Sequence, residues 1–87
     1  MKELEREYKA LANGKRLAIL KYLNKANRAS VGDIAKEIKL TLKATSKHLG
    51  VLSSVEAVEK TKQSLLVLYY LSEKPRATVS HFLKLIS

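Results

Sequence analysis

Apolar residues recur along the 87-residue chain in two rhythms. Up to about residue 54 they return every three or four positions, the spacing of one helix face, and between residues 57 and 71 they gather into short strand-like stretches. The helical spacing resumes after a break at Lys74-Pro75-Arg76. Leu4, Tyr8 and Leu11 define the face of a first helix, which Asn13-Gly14 interrupts before a second series containing Leu17, Leu20 and Leu23. The polar stretch 24–29 reads as a loop. Val31, Ile34, Ala35 and Ile38 then mark a third helix, with Ser30 as its N-cap and the Asp33 carboxylate suited to its positive end.

Lys39-Leu40 leaves room for only a tight connection, and Thr41 is a second N-cap candidate. Leu42, Thr45, Leu49 and Leu52 recur at helical spacing and are expected to face the core, leaving Lys43, Ser46, Lys47, Gly50 and Ser54 on the outer face. Residues 30–52 thus predict helix, turn and helix, an arrangement that can offer one exposed helix to a DNA groove. Beyond it, 57–62 and 65–71 fit two short strands joined at Gln63-Ser64, with Lys60 and Lys62 near the tip. No glycine marks that turn, and a continuous helix through 65–71 is the alternative. Val79, Phe82, Leu83 and Ile86 form the apolar face of a last helix over about 77–87. A domain this small has little core left to cover that face, so a helix from a second copy is the expected partner. The fold class is mainly α with a small β-hairpin, in one domain spanning 1–87.

Charge sharpens the picture. Lys and Arg number 17 against 8 Asp and Glu, a formal net charge of +9 that points to a polyanionic partner, nucleic acid before an anionic membrane surface. Lys2, Arg6, Lys9, Lys15, Arg16, Lys21, Lys25 and Arg28 extend the basic character through the N-terminal third, so one duplex cannot touch every cation. Lys43 stands in the first turn of its helix, where a positive charge opposes the macrodipole at a cost of roughly 0.3–1 kcal/mol. A functional role would account for that placement; the plainer reading is that lysine is common on exposed helices.

The chain has no cysteine, which excludes disulfides, thiolate metal sites and thiol catalysis. Its N-terminus, MKELEREYKAL, lacks the apolar core of a signal peptide, and the run 65–71 is too short to span a bilayer. A soluble, cytoplasmic protein is the expectation. Neither histidine has a carboxylate close in sequence and no phosphate-cradling glycine loop occurs, so an enzyme is not expected.

Particular residues carry a family resemblance. Residues 11–20 (LANGKRLAIL), Ser46-Lys47-His48-Leu49 followed by Val51-Leu52, and Leu68-Tyr69-Tyr70-Leu71 resemble the second-helix start, the recognition-helix signature and the second wing strand of the ArsR-type winged helix-turn-helix transcriptional regulators. The resemblance implies a homodimer joined through the first and last helices, here by Leu4, Tyr8, Val79, Phe82, Leu83 and Ile86. Each recognition helix would enter the major groove of double-stranded DNA, at half-sites of a palindrome about 34–36 Å apart. Thr41, Leu42, Lys43, Ala44 and Ser46 would lie at the base-facing start of that helix, Lys47 at a phosphate, and Lys60 and Lys62 on the wing.

The chain departs from the metal sensors of that family. Ser30 and Gly32 stand where thiolate sensors carry paired cysteines, and the last helix offers His81 alone, so neither a metal nor another cofactor is expected. The wing also lacks the usual glycine and arginine-rich turn. His48 reads as a hydrogen-bonded packing residue, His81 as a residue whose protonation tunes association at the dimer face, and Tyr69 and Tyr70 as neighbours pointing to opposite sides of a strand, one of them core. Two other functions compete with sequence-specific regulation: a winged-helix module that holds another protein through its apolar hairpin, and an architectural DNA binder without sequence preference.

Overall fold

A computed structural model describes residues 1–86. Its elements run α1 (Lys2–Leu11), α2 (Gly14–Ala26), β1 (Ala29–Ser30), α3 (Val31–Ile38), α4 (Leu42–Ser54), β2 (Val58–Gln63), β3 (Leu66–Leu71) and α5 (Ala77–Ile86). The three strands form an antiparallel sheet in the order β1-β3-β2. This is the expected class, helical with a hairpin.

Asn13 does more than interrupt. Its Oδ1 accepts from the backbone amides of Lys15 and Arg16 at 3.0 and 3.1 Å, satisfying donors that the first turn of α2 leaves free. The expected loop at 24–29 is corrected at both ends. Asn24 and Lys25 are exposed on a helix that continues to Ala26, and Asn27 ends it at a positive φ of 72°. Ala29 and Ser30 then pair with Tyr69 and Leu68 as a third strand. A two-residue strand is too short to show alternation, so periodicity had nothing to detect.

The core gathers Leu11, Ile19, Leu20, Leu23, Ile34, Leu49, Leu52, Val55 and Val79, all essentially inaccessible. Leu17, expected with Leu20 and Leu23, is only half-buried, and Ile19 takes the inner place. The last helix is likewise a core element. Val79 is fully buried within the single chain, while Phe82, Leu83 and Ile86 pack against the same cluster. Val79 therefore has no surface to offer a second copy, a correction that follows from α5 docking on α1 and α2.

The hairpin is real, and a helix through 65–71 is excluded by the unbroken antiparallel register from Val58↔Leu71 to Gln63↔Leu66. Its loop is Ser64-Leu65, one residue later than expected. Ser64 has a φ of 61° and Leu65 does not share it, the pattern of a type II′ turn whose first central position normally takes glycine. Serine supplies the turn at a conformational cost, which is why the glycine signal was absent.

Arg76, just before α5, ties three elements together. Its Nη1 donates to Glu7 Oε2 at 2.8 Å and to Glu3, and its Nε donates to Glu56 Oε1 at 2.7 Å. Glu7 is nearly buried, and Thr78 Oγ1 completes its partners. Arg6 adds a second cation at Glu3, 2.7 Å away.

Two stability predictions result. The Arg6 and then the Arg76 guanidinium hold the Glu3 carboxyl down at about 2 from an ordinary 4.5. The stabilisation is therefore complete above pH 4.5 and lost as pH falls through 2, because the unfolded chain takes up the proton first. Glu3→Gln should flatten the decline of Tm across that window. Ser64→Gly should raise stability by about 0.5 kcal/mol in urea titration, relief of the left-handed residue exceeding the entropy glycine adds to the unfolded chain.

Candidate nucleic-acid interface

The helix pair is built by three local devices. Ser30 Oγ accepts from the Asp33 amide at 3.1 Å and starts α3. Lys39 adopts the left-handed conformation, φ 58° and ψ 48°, and the Leu40 amide turns back to the Ala35 carbonyl at 3.0 Å, closing α3 in the manner of a Schellman cap. Thr41 Oγ1 then accepts from the Ala44 amide at 3.1 Å and starts α4. Both predicted caps form. The connection is three residues, 39–41, and its short span fixes how α3 and α4 cross.

One side of α4 is locked inward by Thr45, Leu49 and Leu52, and the buried Thr45 hydroxyl donates to the Thr41 carbonyl at 2.8 Å. Lys43, Ser46, Lys47, Gly50 and Ser54 lie exposed on the other, as expected, with Ala44 half-buried between the two sides. Leu42 is the correction: it is 60% exposed rather than core. It occupies the first helical position, and helical side chains lean toward the N-terminus, so Leu42 projects past the end of the packed face. There it lines an open groove with Val31, Gly32, Lys60, Leu66, Val67 and Tyr69. Apart from Lys60, none of those partners was legible as part of the site, because the groove joins α3, α4 and the wing across long sequence separations.

Lys60 lies opposite Tyr69 and Lys62 opposite Val67. Paired residues share a sheet face, and Tyr69 and Leu71 pack on the core from that face. Both wing lysines are thus on the side of the sheet turned toward the helices. Tyr70 points the other way, its ring 5.4 Å from the Arg28 guanidinium carbon. Among the described residues, Lys43, Lys47, Lys60 and Lys62 are exposed and form no ion pair, whereas Glu3, Glu7 and Glu56 converge on Arg76 at the α1–α5 side. Three of the eight Asp and Glu carboxylates are thus engaged at one corner of the molecule, while these four lysines are left without an ion pair at another.

His48 connects α4 to the scaffold, as the packing reading expected. Arg16 Nε donates to the Ala10 carbonyl at 2.6 Å and its Nη2 to the Lys9 carbonyl at 3.3 Å, while Nη1 lies 3.3 Å from His48 Nδ1. Arg16 has only protons to give, so Nδ1 accepts and the imidazole is neutral with its proton on Nε2. His81 is exposed on α5. No group of three or more His, Cys, Asp or Glu suited to a metal occurs among the described residues, and no helix there is long and apolar enough to cross a membrane.

Comparison with known proteins places this geometry. A family profile described as a helix-turn-helix domain matches residues 11–61. The chain is similar over 97% of its length to reduced HlyU from Vibrio cholerae N16961, at 32% identity and a TM-score of 0.80, covering 84% of that chain. It is similar over 99% to NolR from Sinorhizobium fredii, at 29% identity and a TM-score of 0.84, covering 82% of it. A homodimeric winged helix-turn-helix DNA-binding domain from Mycobacterium bovis, described as a possible ArsR-family transcriptional regulator, aligns over 98% of this chain and 75% of its own, with 29% identity and a TM-score of 0.81. No curated protein sequence gives a significant match.

The His48 contact predicts a pH response. Burial first, then the charges of Arg16, Lys47 and Lys15, push its imidazole below the ordinary 6.5. The unfolded chain therefore binds the proton more readily, and stability present above pH 6.5 falls as pH drops below it. Tm measured from pH 7 to pH 5 should fall less steeply in His48→Gln, which keeps an acceptor but cannot become charged.

Proposed function

The chain belongs to the winged helix-turn-helix family of transcriptional regulators, and on that premise we propose that it is an ArsR-type DNA-binding regulator, acting as a cytoplasmic homodimer without a metal switch and without enzymatic activity. One observation carries the reading. An exposed helix face with two unpaired lysines, capped at its start and locked from behind by Thr45, Leu49 and Leu52, meets a wing bearing two more.

In this reading α4 enters the major groove. Lys47 meets a phosphate, Lys43 a phosphate or a guanine edge, Ser46 a base edge, and Ala44 and Leu42 thymine methyls. Thr41 belongs to the same edge, and Lys60 and Lys62 meet the backbone beside it. The apolar surface left on α1 by Leu4 and Tyr8, with Leu85 exposed on α5, supports a second copy at that end. Phe82, Leu83 and Ile86, already partly covered by the chain's own core, would add to the contact only through their remaining surface. All residues from 1 to 87 act in this reading as one domain.

A specific observation favours a second reading. Leu65, Leu66 and Val67 are exposed together on the wing, as a module that holds another protein would have them. Selection from a random duplex pool separates the two, since a regulator enriches a palindrome and an interaction module enriches nothing. On the enriched duplex, Lys47→Ala should weaken binding to all sequences and reduce the salt dependence by about one phosphate contact per protomer. Lys43→Ala and Ser46→Ala should instead change preference among sequences, by about 1–3 kcal/mol at the contacted base pair.

A further inference from the structure

The tip of the wing is built against the usual chemistry of a turn. Hairpin loops take polar residues and glycine, yet this two-residue loop holds Leu65, 95% exposed, followed by Leu66 and Val67, both exposed as well. A leucine left in water forgoes about 1.5–3 kcal/mol of burial. Nor does the tip lie against the chain's own core, since strand pairing continues up to Gln63↔Leu66 and the left-handed Ser64 turns the chain immediately beyond it. The leucine is carried outward on a paired ribbon.

What surrounds it narrows the partner. Lys62 and Gln63 precede the tip on one arm, Lys60 lies further down, and Leu66 and Val67 continue into the groove that Leu42 lines at the start of α4. No acidic side chain lines that groove. An apolar point flanked by cations and continuous with the lysine-bearing helix matches a partner with an anionic edge and an apolar interior. A DNA groove has that arrangement, phosphates outside and stacked bases within. The wing has no arginine with which to read a minor groove electrostatically.

We propose that Leu65 is an apolar wedge that enters the minor groove beside the α4 site and partly unstacks one base step. The inference rests on the DNA-binding reading and extends it to specificity. Apolar wedges kink duplexes at steps that unstack cheaply, and pyrimidine–purine steps, TA and CA/TG, are the most flexible. The wing thereby selects sequence by deformability at a position where no hydrogen bond reads a base. That complements α4, whose Leu42 and Ala44 discriminate little beyond a thymine methyl.

Permanganate oxidises unstacked thymines, and every TA or CA/TG step contains one. The probe is a duplex rich in these steps, bound at low salt, with occupancy followed separately by gel shift. Leu65 touches almost nothing in the fold, so Leu65→Ala and Leu65→Ser should keep the native circular dichroism and Tm. Wild-type protein should make thymines hyperreactive. Both Leu65 variants should abolish that signal and weaken binding on the order of tenfold, with an unchanged salt slope. Lys62→Ala should lower the salt slope while retaining hyperreactivity.

Full occupancy without a hyperreactive thymine would overturn the wedge and leave DNA binding standing. So would hyperreactivity that survives in Leu65→Ala, and binding indifferent to the substitution would assign the exposed leucines to a protein partner instead. A wild-type protein that shifts no duplex at low salt would overturn the regulator reading and the wedge together.

Discussion

The buried side of α4 is the constraint from which the rest of the molecule takes its geometry. Thr45, Leu49 and Leu52 are inaccessible, and they fix the helix rotationally, so that Lys43, Ser46 and Lys47 have no choice of direction. The Thr45 hydroxyl matters here because a polar group in that position would oppose burial unless bonded. By donating to Thr41, it ties the inner face to the residue that caps the helix. Rotation and starting point of the helix are thus set by adjacent contacts. Arg16 extends the same restraint to α1 by joining the end of that helix to His48 on α4.

Charge is distributed to the same effect. An excess of cations destabilises a compact chain by self-repulsion unless some of them are paired. The pairs are concentrated where α1, the segment after α4 and the start of α5 meet, with Arg76 receiving Glu3, Glu7 and Glu56. Most of this cluster is solvent-exposed and each exposed pair contributes little alone, but the nearly buried Glu7 makes the network costly to break from one side. Electrostatic cohesion is placed at the far end of α4, away from Lys43, Lys47 and the wing lysines, which form no ion pair among the described residues.

Much of this architecture was legible in the chain because it rests on periodicity and caps, both local. Ser30, Thr41 and the alternation of Leu49 and Leu52 with Ser46 and Lys47 specify the helix pair without reference to anything distant. Three features were not legible for definable reasons. Leu42 obeys the helical spacing, but spacing cannot tell that the first helical residue overhangs the edge of the core. β1 consists of two residues whose only reason to be extended is the edge of β3, supplied some forty residues later. Val79 belongs to a face that suits a partner copy and the chain's own core equally well, and only the packing of α5 decides between them.

Several local rules are broken within the helix pair and the wing. Lys39 and Ser64 take left-handed backbone where glycine would be free of strain, at roughly 1–2 kcal/mol each. Lys43 opposes the macrodipole of α4, Gly50 interrupts its outer face with open space around it, and Leu65 stands in water. Asn27 and Glu56, the other left-handed residues, lead into β1 and β2. All of these lie in the helix pair, the wing or the segments that lead into them, and none lies within α1, α2 or α5. In a small domain whose whole margin is about 5–15 kcal/mol, costs of this size are not neutral. In α2 the comparable departure, Lys15 and Arg16 in a first turn without an acid, is offset by their bonds to the Ile38, Ala10 and Lys9 carbonyls. Among the described residues, by contrast, Lys43 pairs with no carboxylate and Leu65 is covered by nothing. Departures left without internal compensation are what one face shows when something other than its own stability shapes it.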